Sequence, residues 1–230
     1  NQDGSEGKAA GNAIRAVAKY LYDNNVYGVA DKHSRITDPT AIISVETAVG
    51  IKKLVLYKLE GKVSSVTVEM GNPIFEPAQI PTTLETTQNG AIVNAPLDVD
   101  GMSYNVTCVN IGNPHCVVFS SFVDKVDVEK IGPIFEKHEV FPERTNTEFV
   151  RVVGPNELKM RTWERGNGET PACGTGACAA VVASVLNGFC KKDEEITVSV
   201  RGGKLSVKYT DNGIFLTGNT KELYNGTVEI

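Results

Sequence analysis

Apolar residues recur along the chain with two different periods, and each change of period marks out an element. From about Gly7 to Asp23, Ile14, Val17, Ala18 and Leu21 fall at helical spacing, and Asn24-Asn25 supplies a stop. A second helix is predicted from about Cys173 to Leu186, built on Ala177, Ala179, Ala180, Val181, Val182, Ala183 and Val185 and closed at Asn187-Gly188. It offers no polar face, so it must be covered on most sides. Elsewhere alternation of period two predicts strands at Ile42–Thr47, Leu54–Leu59, Val63–Met70, Tyr104–Val109, Cys116–Ser120 and Glu148–Val153. Further strands are predicted at Leu158–Trp163, Ile196–Arg201, Lys204–Tyr209, Ile214–Thr217 and Thr227–Ile230. Gly61-Lys62, Asp100-Gly101 and Asp211-Asn212-Gly213 mark turns, and such short links favour antiparallel pairing. The fold class predicted is α+β.

The pattern also repeats. Gly4-Ser5-Glu6 followed by Ala10-Gly11 has the spacing of Asn167-Gly168-Glu169 followed by Cys173-Gly174, and each set precedes one of the helices. Downstream, ISVETAVGIKKLVLY with GKVSSVTVEMG mirrors ITVSVRGGKLSVKY with GIFLTG. The chain thus reads as a duplicated helix-plus-meander unit: two pseudo-symmetric domains, each a curved, mostly antiparallel sheet around a central helix. Residues 1–72 with 220–230 would form one domain and residues 73–219 the other, with the last strand returning to the first. Packed face to face, the copies would bring the two helix starts into one cleft, where a ligand should sit.

Composition narrows the classes of function. With 230 residues, 41% of them hydrophobic, the chain can bury one large core or two modest ones. A net charge of -5 with Lys and Arg scattered gives no basic stripe, so nucleic acid and anionic membrane surfaces are excluded as partners and a small molecule is expected. No stretch approaches the roughly 20 apolar residues of a membrane span and no leader pattern opens the chain, so a cytoplasmic location is expected. The chain opens at Asn1 without Met, and a further segment upstream is expected. Five cysteines, odd in number and without C-x-x-C pairing, read as free thiols, and His33, His115 and His138 stand too far apart for a metal site. No metal is predicted.

Cys173 is the residue with the clearest chemistry. It opens ACGTGA at a helix start, where unpaired backbone N–H groups and the positive end of the dipole favour a thiolate. The glycines beside it leave room for a carboxylate to dock on the N–H groups of Gly174 and Thr175. In the first copy Ala10-Gly11-Asn12 occupies the matching helix start, with no thiol. Asn113-Pro114-His115-Cys116 lies between two strands, where a turn would expose Asn113 and His115. Glu164-Arg165 leads into the Cys173 loop and could hold the two charges of an amino acid, although an exposed ion pair is the plainer reading. Cys108, Cys116, Cys178 and Cys190 read as buried packing residues.

Together, DGSE with G-N-x-x-R, GNPHCVVF, FPER-T-NTEFV and above all WERGNGETPACGTGACAA resemble diaminopimelate epimerases over essentially the whole chain. The resemblance implies cofactor-independent epimerisation of L,L-diaminopimelate to the meso form in lysine and peptidoglycan biosynthesis. Two cysteines at the two helix starts would flank the α-carbon, one removing its proton and the other returning one to the opposite face. It implies Cys173 as one base, with His115 and Glu164 tuning the thiols. It implies that Asn1, Asn113, Asn146, Glu164 and Arg165 hold the distal head group and that Gly11, Asn12, Gly174 and Thr175 hold the reacting carboxylate. No pyridoxal phosphate or metal is implied, and a homodimer is left open. The chain departs from the family where MCGN-x-x-RC is usual: Ala9, Ala10 and Ala16 replace Met and two cysteines, one of them catalytic. A proline- or histidine-type racemase of the same two-thiol kind and a non-catalytic binding paralogue are the competing readings.

Overall fold

The structure is a computed structural model, and it describes residues 11–26, 39–47, 50–224 and 226–227. Two compact units are present. The described residues of the larger are Gly11 and Glu69–Leu216, and those of the smaller fall within Asn12–Val68 and Thr217–Ile230.

In the smaller unit, helix α1 (Gly11–Asp23), all but its first residue, precedes strands β1 (Thr40–Thr47), β2 (Gly50–Leu59) and most of β3 (Lys62–Gly71). β1 pairs antiparallel with β2, and β2 with β3. Leu54, Leu56, Val63, Val66 and Val68 point inward at alternate positions, the geometry of a sheet wet on one face. Asp23 at the end of α1 accepts from Lys19 Nζ at 2.6 Å and from the Val63 amide at 2.9 Å, which fixes the helix on its sheet.

The larger unit contains β4 (Ile92–Val99), β5 (Met102–Asn110), β6 (Pro114–Phe119), α2 (Val128–Glu136), β7 (Asn146–Gly154), β8 (Glu157–Glu164), β9 (Gly168–Thr170), α3 (Gly174–Leu186), β10 (Glu195–Val200), β11 (Gly203–Thr210) and most of β12 (Gly213–Asn219). Its strands run in the order β12-β11-β10-β8-β7-β6-β5-β4, with β9 paired to β8. The α+β class holds, and α3 followed by β10-β11-β12 repeats the arrangement of α1 followed by β1-β2-β3.

Two pairings depart from the antiparallel expectation. β6 runs parallel to β7, and β8 parallel to β10. The reason is that α2 bridges the first pair and β9 with α3 the second, so each connection is a crossover rather than a turn.

Helix α3 packs on β5, β6, β7 and β8 and helix α2 on β7 and β8, while Cys116 and Val118 of β6 share a buried cluster with Val128 and Phe135 of α2. Both faces are therefore dry, which explains the unbroken buried runs Pro114–Val118 and Asn146–Val150. Alternation assigns the faces. Cys116, Val118 and Phe149 join Val128 and Phe135 in the core beneath α2, leaving His115 and Glu148 on the α3 side.

The predicted helices and most predicted strands are present, with shifted ends. The first helix is described from Gly11, and Cys173 caps the second rather than belonging to it. The sequence reading missed α2, β4 and β9. Thr227 is not in a strand, and residues 228–230 lie outside the described residues.

Candidate active site

Helix α3 begins where β9 hands the chain to Pro171-Ala172-Cys173. Cys173 is the N-cap in extended backbone, and the Gly176 N–H donates to its Sγ at 3.3 Å. The Thr175 hydroxyl lies 3.4 Å from the same sulfur. Cys173 is buried, and burial pushes its thiol up, with the charges of Glu164 and Glu148 adding to the effect. The two hydrogen bonds act the other way and do not win. The helix start favours a thiolate, whereas desolvation and the two nearby carboxylates push the thiol the other way.

Gly176 is required at its place, because a Cβ there would lie 2.6 Å from Glu148 Oε1 and 3.2 Å from Cys173 Sγ. Glu148 is wholly buried on β7. Its Oε1 meets His115 Nδ1 at 2.9 Å and accepts from the Thr162 hydroxyl at 3.3 Å, while its Oε2 has no hydrogen-bond partner among the described residues. His115 Nε2 lies 2.8 Å from Asn113 Oδ1. Both ring nitrogens of His115 therefore face oxygens, that of Glu148 on one side and that of Asn113 on the other.

A second chain of bonds joins the head-group candidates. Asn146 Nδ2 donates to the Pro114 carbonyl at 2.7 Å, and Asn146 Oδ1 accepts from the Arg165 amide at 3.0 Å. Glu164 and Arg165 do not pair with each other. Glu164 accepts from the Thr170 hydroxyl across the β8–β9 hairpin, and Arg165 Nη1 donates to the Glu143 carbonyl at 2.9 Å. Glu169 braces the same hairpin: Arg161 grips it with two nitrogens at 2.8 and 3.1 Å, which holds its carboxyl below the usual range.

The larger unit therefore brings together Cys173, Gly174, Thr175, His115, Asn113, Asn146, Glu164 and Arg165. Gly11 stands with them, since a Cβ on it would lie 3.7 Å from Gly174 Cα and 2.9 Å from Leu216 Cδ2. Asn12 belongs to the smaller unit, where it accepts from Arg15 Nη2 at 2.9 Å. Asn1 and Ala10 lie outside the described residues. Glu148 escaped the sequence reading altogether; a carboxylate amid the buried run Asn146–Val150 was its only signal.

A family model described as diaminopimelate epimerase matches residues 107–223, which takes in every site residue from His115 to Thr175. The diaminopimelate epimerase of Agathobacter rectalis is 45% identical over 236 residues, covering 100% of this chain and 78% of that one. The chain belongs to the diaminopimelate epimerase family. The diaminopimelate epimerase of Desulfovibrio desulfuricans is 44% identical over 231 residues, with 98% and 76% covered. Membership makes the chain an isomerase by kind. Among solved structures, the fold is similar to a hydroxyproline epimerase from Agrobacterium vitis (TM-score 0.64, 16% identity, 92% of this chain and 64% of that one). It is likewise similar to a probable proline racemase from Agrobacterium radiobacter (TM-score 0.65, 14% identity, 96% and 68% covered). At such identities the likeness concerns the fold alone. Among the described residues, no helix is long and apolar enough to cross a membrane.

Proposed function

We propose that this diaminopimelate epimerase family member binds diaminopimelate and that its site is built for cofactor-independent inversion at the α-carbon, a step of lysine and peptidoglycan synthesis. One observation carries the reading: a buried thiol at a helix start sits within electrostatic reach of Glu164, at the head of a turn that also offers Arg165. The first-turn N–H groups of α3 have no partner within the helix and suit the carboxylate beside the reacting carbon, whose charge grows as the α-proton leaves. The Glu164–Arg165 turn, Asn113 and Asn146 suit the second amino-acid head. That second head favours diaminopimelate over a proline- or histidine-type substrate, which has none.

The two-base scheme needs a thiol on each face of the α-carbon. Cys173, at the start of α3, serves one of those faces. Ala10 holds the place of the opposite base and can neither take nor give a proton. Ala10 favours a second reading, that the chain binds its ligand without inverting it. Restoring the thiol separates the two. Ala10→Cys should raise interconversion of L,L- and meso-diaminopimelate by ~10²- to 10⁴-fold, and Cys173→Ala in that background should abolish it. In the unsubstituted chain, only slow α-proton exchange from one face is expected in deuterated water, faster as pH rises because Cys173 must first ionise. Interconversion at an ordinary enzymatic rate with Ala10 in place would defeat the assignment.

A further inference from the structure

Glu164 and Arg165 lie where β8 turns into β9, and a residue outside the thiol site holds that turn. Glu136, the last residue of α2, is 4% exposed and stands apart from the thiol chemistry. Its Oε2 accepts from Trp163 Nε1 at 2.6 Å. Its Oε1 accepts from the Gly166 amide at 3.2 Å and from Arg144 Nη1 at 3.2 Å. One side chain thus grips the residue before Glu164 and the residue after Arg165. Its own carbonyl accepts from the Thr145 amide at 3.2 Å, so the segment that leads to Asn146 is tied to the same point. Arg144 holds a left-handed backbone at φ 62°, an uncommon conformation for a residue with a side chain, and its guanidinium still reaches Glu136. Trp163 has no room to move the other way, since a Cβ on Gly132 of α2 would fall 2.5 Å from its ring.

We propose that Glu136 is the positioning residue for distal head-group recognition: it sets the Glu164–Arg165 turn and the Asn146 segment against each other, so that their charges and amides meet an α-amino-acid head group in one geometry. The proposal rests on the reading that this turn binds diaminopimelate. All three side-chain partners of Glu136 are N–H donors, so only a group that accepts on both atoms satisfies them. Glutamine has the same shape but turns a donor towards Trp163 or towards Gly166 and Arg144. A spacer role would tolerate that exchange; a positioning role would not.

The test compares the full chain, Glu136→Gln and Glu136→Gln/Trp163→Phe. Calorimetry with meso-diaminopimelate reads affinity, and hydrogen exchange at Gly166 reads the turn itself. Glu136→Gln should weaken binding at least tenfold and speed Gly166 exchange by a similar factor. The double variant should return affinity to within about threefold of the parent, because removing the indole N–H ends the donor–donor clash. Trp163 is the only tryptophan, so its fluorescence should change on ligand addition to the parent. If the parent binds and Glu136→Gln binds within twofold of it, the proposal is overturned. The same holds if the double variant recovers nothing. If the parent shows no saturable binding, the head-group reading fails with the recognition claim, whereas unchanged Gly166 exchange in Glu136→Gln overturns the positioning claim by itself.

Discussion

At the scale of single residues, Cys173 stands between two opposed influences, a helix start that favours its thiolate and a buried setting that disfavours it. ACGTGA announces a helix start, and a helix start alone favours the thiolate. What the linear pattern does not carry is Glu148, brought alongside by β7 and wholly buried. Cys116 is also pushed up, first by its hydrogen bond with Cys108 across the β5–β6 pair and then by burial. These shifts have a consequence for stability. Raised folded pKa values mean that the native protein keeps protons which the unfolded chain releases near pH ~8.5. The stability these thiols contribute is whole below that pH and is lost as pH climbs towards the raised values, by about 1.4 kcal/mol per pH unit for each thiol. Urea midpoints measured from pH 8 upward should therefore fall steeply, and less steeply in Cys173→Ala and Cys116→Ala. Identical slopes in all three proteins would show that burial does not hold the protons.

Among the elements, what was legible followed from clean periodicity, and what was missed carried chain breakers. The apolar helix α3 and the alternating strands stood out. Helix α2 did not, because Gly132 and Pro133 interrupt Val128–Glu136, although Val128 and Phe135 keep the helical spacing of its buried face. Strand β4 did not, because Asn94 sits at φ 53° in a break of register and Pro96 follows it. Both are tolerated because β4 is the last strand in the order, where a missing donor can face outward. α2 owes its start to Asp127, whose carboxylate accepts from the Lys130 amide at 3.2 Å. Asp127→Ala should lower stability by about 1 kcal/mol, and denaturant titration against Asp127→Asn, which retains an acceptor, would measure it. Gly176→Ala should cost ~1–3 kcal/mol, since its methyl would overlap the Glu148 carboxylate, and it should weaken ligand binding as well.

Across the whole molecule, α1 with β1-β2-β3 and α3 with β10-β11-β12 share one order of elements. Ligand selectivity should be visible at this scale as a shift in melting temperature. A ligand at a hundred times its Kd adds about 2.7 kcal/mol to the stability of the folded state. Meso-diaminopimelate should thus raise Tm by several degrees, and L-lysine, which lacks the second carboxylate, should raise it much less at equal concentration. Equal shifts would remove the case for a two-headed ligand.

Helix α3 touches β5, β6, β7, β8, β10 and β11, strands that enter the chain both before and after it, and its residues from Gly174 to Ser184 are buried. That enclosure cannot be completed while the chain is still short of β11. The helix therefore closes late, after distant strands have found one another, and folding should be slow for a chain of this size. The same enclosure works in reverse once it is complete. Amides in the middle of α3 have no local route to solvent and should exchange at the rate of global opening. The thiol at its head is then held in register for as long as the molecule stays folded, a geometry kept by the clock of unfolding and not by any single bond.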